Sequence, residues 1–173
     1  VFKELYLNGA VYRGRKPIHW CSHCHTALAE AEIEYADETS PSIYVNFKLN
    51  NIPAAFAEAG VDLERAYVLI WTTTPWTLPS NTAVSLGPDI DYCFVEADGK
   101  FMMFAKDMVE AVAKVAGWES YRIVEANGEP VTMKGDQFGD ITYICPVLHE
   151  NTGRIIWGEH VTLDAGTGAV HTA

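Results

Sequence analysis

The sequence predicts a mainly β fold, a small twisted β-barrel with a few flanking helices. Many short apolar segments with alternating or β-branched character are separated by Gly, Asn and Asp turns. Only one stretch, residues 105–115, repeats apolar side chains at helical spacing. With 173 residues, 49% of them hydrophobic, the chain is long enough to bury one core. We therefore expect a single domain over residues 1–173.

Periodicity and chain breakers locate the elements in order. Helices are predicted at residues 1–8 and 54–59, each followed by glycine, and at 105–115. Residues 27–34 combine helix formers with alternation, so local rules do not decide their structure. Strands are predicted where apolar residues alternate or run together between turn residues: 43–49, 67–71, 82–86, 92–96, 101–104, 121–125, 131–133, 141–145, 155–157 and 168–172.

Charge and composition exclude several classes of protein. Twelve Lys and Arg against 23 Asp and Glu give a net charge of -11, which argues against a protein that binds nucleic acid by itself through phosphate neutralisation. No run of 18 or more apolar residues is present, so we expect no membrane span. Four cysteines do not form a disulfide framework in a chain of this size, which indicates a reducing, cytoplasmic location.

The most distinctive stretch follows the strand predicted at residues 67–71. Three consecutive threonines, Thr72, Thr73 and Thr74, precede two prolines at positions 75 and 79. The prolines restrict the residues before them, so a rigid, non-repetitive segment is expected here. Threonine hydroxyls suit a polar pocket for an uncharged or ester-like group. The alternative is that these threonines are simply exposed at the end of a strand.

Familiar catalytic motifs are missing or incomplete. The pair Gly166 and Gly168 lacks the third glycine of a dinucleotide loop, and no phosphate-binding loop or Gly-x-Ser-x-Gly turn occurs. The Cys21-x-x-Cys24 spacing could hold one zinc, but a structural site needs four ligands. His23 and His25 could complete it only in an awkward geometry, so these residues alone are not expected to form a complete zinc site.

Residues 71–81, Trp-Thr-Thr-Thr-Pro-Trp-Thr-Leu-Pro-Ser-Asn, resemble the threonine-rich peptide in the editing domain of the isoleucyl-tRNA synthetases, which belong to class I. Residues 163–173, ending Gly-Ala-Val-His-Thr-Ala, look like the second editing-pocket signature of the same family. The two motifs occur in the right order, and similar sequence surrounds both. The resemblance therefore extends over essentially the whole chain and implies the editing (connective polypeptide insertion) domain fold.

The resemblance implies roles for particular residues. Thr72, Thr73 and Thr74 would line the pocket, contact the ester and the terminal ribose, and help to place water. Asn81 would form hydrogen bonds within or beside the site, and His171 would form a wall that excludes isoleucine. Without the motif, His171 would be interpreted as an ordinary core histidine. The substrate-binding residues would also include Thr77, Trp76, Gly166 and Gly168. The two glycines would allow the backbone to approach the ligand closely. Trp76, like Trp71, is expected to pack against the protein and not to stack on a ligand.

The implied reaction is hydrolysis of valyl-tRNA(Ile) or valyl-adenylate by water in a size-selective pocket, with no cofactor. Isoleucyl synthetase is itself the standard example of such double-sieve editing. The implied partners are the 3′ end of tRNA(Ile) and the rest of the synthetase. Residues 1–30 would form a basal segment. Its pair Cys21 and Cys24 would be at most half a metal site, since in the family a second Cys pair elsewhere helps to bind zinc, and a pair without metal is an equal alternative. Residues 27–34 would lead into a strand.

In the family, an aspartate expected to bind the substrate's ammonium group follows the stretch that ends here at Ala173. The chain alone is therefore expected to hydrolyse the ester weakly or not at all. Two alternatives remain. One is a non-catalytic module of the same synthetase that positions tRNA or is stabilised by zinc, and the other is an unrelated β-barrel that binds small ligands.

Overall fold

The computed structural model describes all residues from Val1 to Ala173, in two compact units, Val1–Thr39 and Ser40–Ala173. The N-terminal unit contains helix α1 (Phe2–Leu7), a hairpin of β1 (Trp20–Cys21) and β2 (Thr26–Ala27), and a 3-10 turn at Glu30–Glu32. Helix α1 confirms the helix predicted at the start of the chain, and it buries no residue. Residues 27–34 contain the 3-10 turn and are not the continuous lead into a strand that the resemblance implied.

The C-terminal unit is mostly β and confirms the predicted fold class. Its two α-helices are α2 (Ala54–Glu58) and α3 (Val109–Ala116), and the latter ends at Gly117 with a left-handed φ of 67°. Four short 3-10 helices and twelve strands make up the rest of the regular structure, and the strands are β3 (Ile43–Lys48), β4 (Ala66–Thr72), β5 (Ala83–Leu86), β6 (Asp91–Ala97), β7 (Lys100–Ala105), β8 (Arg122–Ile123), β9 (Glu125–Ala126), β10 (Glu129–Pro130), β11 (Met133–Lys134), β12 (Thr142–Ile144), β13 (Thr152–Trp157) and β14 (Ala169–Thr172).

The strands form separate sheets and do not close into one barrel. The larger sheet has six strands in the order β11-β6-β7-β4-β3, with β8 also paired to β6. The smaller sheet has four strands in the order β12-β13-β5-β14. Each sheet contains one parallel pair, β4 with β7 and β5 with β13, while its other pairs are antiparallel. No helix of the chain is both long and apolar enough to span a membrane.

Strand β4 is buried on both faces, which explains its continuous apolar run. Val68 and Ile70 belong to a core that also contains Val84 and Ile155 of the smaller sheet. Leu69 points to the opposite face and belongs to a second core with residues of α3. The alternation of one residue per face is the period of a strand. The larger sheet therefore packs against the smaller sheet on one side and against α3 on the other.

Candidate functional site

A cavity of about 500 Å³ lies where β4 ends and β14 begins. This volume is in the range of small-ligand pockets in proteins. Three segments supply its walls: the end of β4 with the following 3-10 helix, the loop that precedes β14, and β14 itself. The lining consists of Trp71, Thr72, Thr73, Thr74, Thr77, His160, Thr162, Asp164, Ala165, Gly166, Thr167, Gly168, Ala169, Val170, His171 and Ala173.

The threonine peptide forms one wall, and Thr72, Thr73 and Thr74 all belong to the lining. Thr72 is the last residue of β4 and only 7% exposed, and its Oγ1 accepts a hydrogen bond from the backbone N–H of Thr74 at 3.0 Å. The two hydroxyl oxygens of Thr72 and Thr74 are 3.2 Å apart. Thr73 and Thr74 are exposed. The inner hydroxyl therefore shapes the turn, while the outer two are accessible from the cavity.

The segment after the threonines is a 3-10 helix, Pro75–Ser80, whereas the sequence predicted a non-repetitive segment. Proline suits the first position because its missing N–H has no partner there anyway. The backbone N–H of Asn81 donates to the carbonyl of Leu78 at 3.1 Å and closes the helix. This tight closure places the Asn81 side chain in the interior, where only 7% of the residue is exposed.

His171 forms a second wall, on strand β14, and both ring nitrogens have partners. Nε2 lies 2.8 Å from Oγ1 of Thr77, and Nδ1 lies 2.9 Å from Nδ2 of Asn81. The hydroxyl of Thr77 also donates to the carbonyl of Thr74 at 2.8 Å. Burial lowers the pKa of His171 below its ordinary value, so the ring is neutral at pH 7.

Asn81 lies behind the cavity and is not part of its lining. Its Nδ2 contacts the carbonyls of Ala83 at 3.0 Å and Thr172 at 3.3 Å, and its Oδ1 accepts from the hydroxyl of Tyr143 at 2.7 Å. Sequence reasoning missed Tyr143 and the neighbouring Cys145. Tyr143 lies in β12, within the strand predicted at residues 141–145, and Cys145 directly follows β12, but strand periodicity carries no information on which distant side chain they meet. Burial raises the pKa of Tyr143, so its hydroxyl keeps its proton.

The two predicted glycines line the cavity in left-handed conformations, with φ of 78° for Gly166 and 68° for Gly168. A Cβ on Gly166 would lie 3.0 Å from the Trp71 side chain, and one on Gly168 would lie 2.6 Å from Cβ of Ala105. The close approach that the structure provides is therefore to protein atoms. These contacts pack the loop before β14 against the ends of β4 and β7.

The two tryptophans of the motif differ. Trp71 is partly buried beside Gly166, as expected of a packing residue. Trp76 is 69% exposed and lies outside the cavity lining, so the prediction that it packs in the interior was wrong. Trp76 follows Pro75 in the 3-10 helix and faces outward. The buried strand that precedes the helix gave no indication of this exposure.

The predicted metal pair lies in the N-terminal unit, at the β1–β2 hairpin. The backbone N–H of Cys24 contacts Sγ of Cys21 at 3.3 Å and, together with the N–H of His23, lowers the pKa of the Cys21 thiol. No group of three or more His, Cys, Asp or Glu side chains in the chain is arranged to hold a metal ion. The pair alone therefore does not meet the four-ligand requirement of a structural zinc site. All four cysteines are free, and Cys93 and Cys145 are buried.

The cavity has both polar and apolar lining and is nearly uncharged. Its lining contains no Lys or Arg, and Asp164 is its one carboxylate. No Ser or Cys lines it, so a covalent mechanism through those nucleophiles has no residue to use. Hydroxyls and backbone groups around such a cavity can bind a neutral carbonyl compound and orient a water molecule. The arrangement suits hydrolysis by water of an uncharged acyl group.

Comparison with known proteins yields one family and several relatives. The family described as tRNA synthetases class I (I, L, M and V) matches residues 1–145. The isoleucine–tRNA ligase of Caldanaerobacter subterraneus subsp. tengcongensis is 44% identical over 173 residues, which is all of this chain and 18% of the relative. That of Klebsiella pneumoniae is 48% identical over 168 residues, or 96% of this chain and 17% of the relative. The chain thus spans less than a fifth of the length of these curated relatives.

Among solved structures, the chain is similar to one titled the crystal structure of GlLeuRS-CP1. The TM-score is 0.55 at 16% sequence identity, covering 75% of this chain and 52% of the other. At this identity the likeness concerns the fold alone.

Proposed function

The chain belongs to the class I tRNA synthetases (I, L, M and V), and we propose that it is the editing domain of an isoleucine–tRNA ligase. In this proposal, the cavity binds the aminoacyl end of tRNA(Ile) charged with valine, or valyl-adenylate, and water hydrolyses the acyl bond. The observation that carries the proposal is that Thr72, Thr73, Thr74 and His171, distant in sequence, line one cavity. The rest of a longer synthetase, tRNA(Ile), zinc at the Cys pair and a cytoplasmic location belong to the same proposal.

The electrostatics of the cavity favour an ester as the group that enters it. A phosphate site would be lined by Lys, Arg or a run of free backbone N–H groups, and this lining has no basic side chain other than two histidines. The ester linkage of valyl-tRNA is uncharged and needs only hydrogen-bond donors and a space for the side chain, while the positive charge of the substrate lies on its α-ammonium group. The absence of Lys and Arg from the lining therefore favours valyl-tRNA over valyl-adenylate as the substrate.

Hydrolysis then depends on the orientation of the ester and the water, and on electrostatic stabilisation of the charge that develops on the ester oxygen. The exposed hydroxyls of Thr73 and Thr74 can donate to the ester oxygen on which charge develops, and this type of stabilisation is usually the largest catalytic term. Neutral His171 uses both ring nitrogens in hydrogen bonds, so it acts as a rigid wall and not as a general base. The wall limits the side chain that fits, which separates valine from the larger isoleucine.

Two substitutions in the intact synthetase test the proposal. His171→Ala enlarges the cavity, and we expect it to make the enzyme hydrolyse correctly charged isoleucyl-tRNA(Ile). Thr74→Val keeps the shape but removes a hydroxyl, and the deacylation of valyl-tRNA(Ile) should fall at least about tenfold. Aminoacylation with isoleucine should be unaffected in both variants.

Thr152→Val, at an exposed position of β13, is the matched control and should deacylate like the wild type. If proofreading is unchanged in both cavity variants, the editing proposal is refuted. That result would favour the alternative of a non-catalytic module that positions tRNA.

A further inference from the structure

The amide of Asn81 has only one orientation that satisfies its surroundings. One end of the amide faces the carbonyls of Ala83 and Thr172, which can only accept hydrogen bonds, so this end must be the NH₂ group. The other end is the oxygen, and it faces the hydroxyl of Tyr143 at 2.7 Å and Sγ of Cys145 at 3.5 Å. At this oxygen the Tyr143 hydroxyl is the strong donor, because a thiol is a weak one.

This orientation determines where the proton of His171 is. The Asn81 NH₂ group faces Nδ1 of His171 at 2.9 Å, and two donors cannot face each other, so Nδ1 carries no hydrogen. The neutral ring therefore carries its proton on Nε2 and donates it to Oγ1 of Thr77. The hydroxyl of Thr77 in turn donates to the carbonyl of Thr74, in the cavity wall. All the donors point in one direction, from Tyr143 to the threonine peptide.

The position of Tyr143 is itself closely defined. The residue is fully buried, and its ring packs against Phe47 with 5.1 Å between ring centroids. Gly153, its partner across the β12–β13 pair, leaves the space that the phenol occupies. A Cβ at position 153 would lie 2.3 Å from the phenol oxygen. Glycine at 153 is thus required for the hydroxyl to reach Asn81.

We propose that Tyr143 is a positioning residue of the cavity: together with the carbonyls of Ala83 and Thr172, its hydroxyl holds the amide of Asn81 in the orientation that keeps the proton of His171 on Nε2 and directed at Thr77. Tyr143 touches no cavity surface and acts only through Asn81. The consequence for ester hydrolysis rests on the proposed function. The consequence for the proton on His171 does not depend on it.

Tyr143→Phe tests the proposal because it removes the hydroxyl and keeps the ring. Nitrogen-15 NMR of the histidine-labelled chain reports which ring nitrogen of His171 is protonated, and the His171→Ala variant identifies its signals. In the wild type we expect the Nε2–H form alone. In Tyr143→Phe we expect the Nδ1–H form or the doubly protonated ring in addition. Deacylation of valyl-tRNA(Ile) by the intact synthetase should fall about five- to tenfold, as expected for one lost buried hydrogen bond.

Phe47→Leu is the matched control, because it loosens the contact with the same ring without changing a hydrogen bond. It should lower the thermal stability but leave the His171 proton on Nε2. Gly153→Ala is a second test, which displaces the hydroxyl without deleting it and should reproduce the NMR change even if Tyr143→Phe folds poorly.

The outcomes separate the two proposals. An unchanged His171 tautomer in folded Tyr143→Phe and Gly153→Ala overturns the positioning role, whether or not hydrolysis falls. A changed tautomer supports it. If the tautomer changes but the wild-type synthetase does not hydrolyse valyl-tRNA(Ile), the proposed function fails and the positioning of His171 by Tyr143 stands.

Discussion

The two walls of the cavity are built differently. The hydroxyl wall is formed by Thr72, Thr73 and Thr74. In it, Thr73 and Thr74 are exposed, and only Thr72 is buried. On the imidazole wall, His171 has a partner at each ring nitrogen, and Asn81 behind it bonds to a phenol and two backbone carbonyls. The first wall leaves hydrogen-bonding capacity for a ligand, whereas the second has used nearly all of its own.

This difference separates the effects of substitution. A residue whose hydrogen bonds are all internal contributes to stability, and removing it leaves buried partners unsatisfied. A residue whose hydroxyl is accessible contributes to binding, and removing it should cost activity alone. Substitutions in the imidazole wall are therefore expected mainly to lower stability, and substitutions in the hydroxyl wall are expected mainly to lower activity.

The largest effect is expected for Asn81→Ala, in the imidazole wall. It leaves the buried Tyr143 hydroxyl and the carbonyl of Ala83 without their partner, at a cost of about 3 kcal/mol in the free energy of unfolding. Urea unfolding of the chain measures this loss. Asn50→Ala removes an exposed amide that contacts Thr142 at 3.3 Å and should change stability by less than about 0.5 kcal/mol. Equal losses in the two variants would contradict the proposed difference between the walls.

Gly168→Ala should be next, because the position combines a left-handed φ of 68° with a Cβ site 2.6 Å from Ala105. We expect about 2 kcal/mol of destabilisation, since both the backbone and the packing oppose the new methyl group. Gly139 provides the matched control: its φ is -59°, and nothing lies within 4 Å of an added Cβ. Gly139→Ala should be neutral or slightly stabilising in the same thermal unfolding measurement. The prediction is wrong if the two variants have the same midpoint of thermal unfolding.

Thr73→Val tests the hydroxyl wall. Because the Thr73 side chain is exposed, its replacement by an isosteric apolar side chain should leave the free energy of unfolding within about 0.5 kcal/mol of the wild type. The deacylation of valyl-tRNA(Ile) by the intact synthetase should nevertheless fall about tenfold, as for one lost transition-state hydrogen bond. A destabilised but fully active variant would reverse the roles of the two walls.

The smallest effect is expected from pH. The pKa of His171 is lower in the folded chain than its ordinary value of about 6.5, so the unfolded state binds more protons between these two values. Stability from this group is therefore fully present above about pH 6.5 and is lost as pH falls through the lowered pKa. Urea unfolding of the wild type and of His171→Gln at pH 5 and 7 measures the difference. The wild type should lose more stability at pH 5, whereas His149→Gln, at an exposed position, should behave like the wild type.

Local patterns predicted much of the fold, for identifiable reasons. Strand β4 and the hairpin of β6 and β7 were predictable because their apolar residues alternate or run together between clear turn residues. The division into two sheets was not predictable, because the parallel pairing of β5 with β13 joins segments about 70 residues apart, and no local signal specifies such a partner.

The site shows the same limit. Each motif is continuous in sequence, so both motifs could be found, and the structure places Thr72 of one and His171 of the other in the lining of the same cavity. The motifs did not reveal Tyr143, whose contribution depends on a contact with Asn81 across 62 positions. Nor did they reveal that Trp76 faces outward, because the exposure of a 3-10 helix residue depends on how the helix is packed.

The division of the strands between two sheets has a consequence for selectivity. Thr72 ends a strand of the six-stranded sheet, and His171 belongs to the four-stranded one, so the gap between them depends on how closely the two sheets approach. That spacing is set by side chains such as Ile70 and Ile155, which are buried between the sheets and do not line the cavity. A methylene added or removed there would widen or narrow the opening without altering any residue that meets a ligand. Discrimination between acyl groups of similar size is thus a property of the interior as well as of the cavity surface.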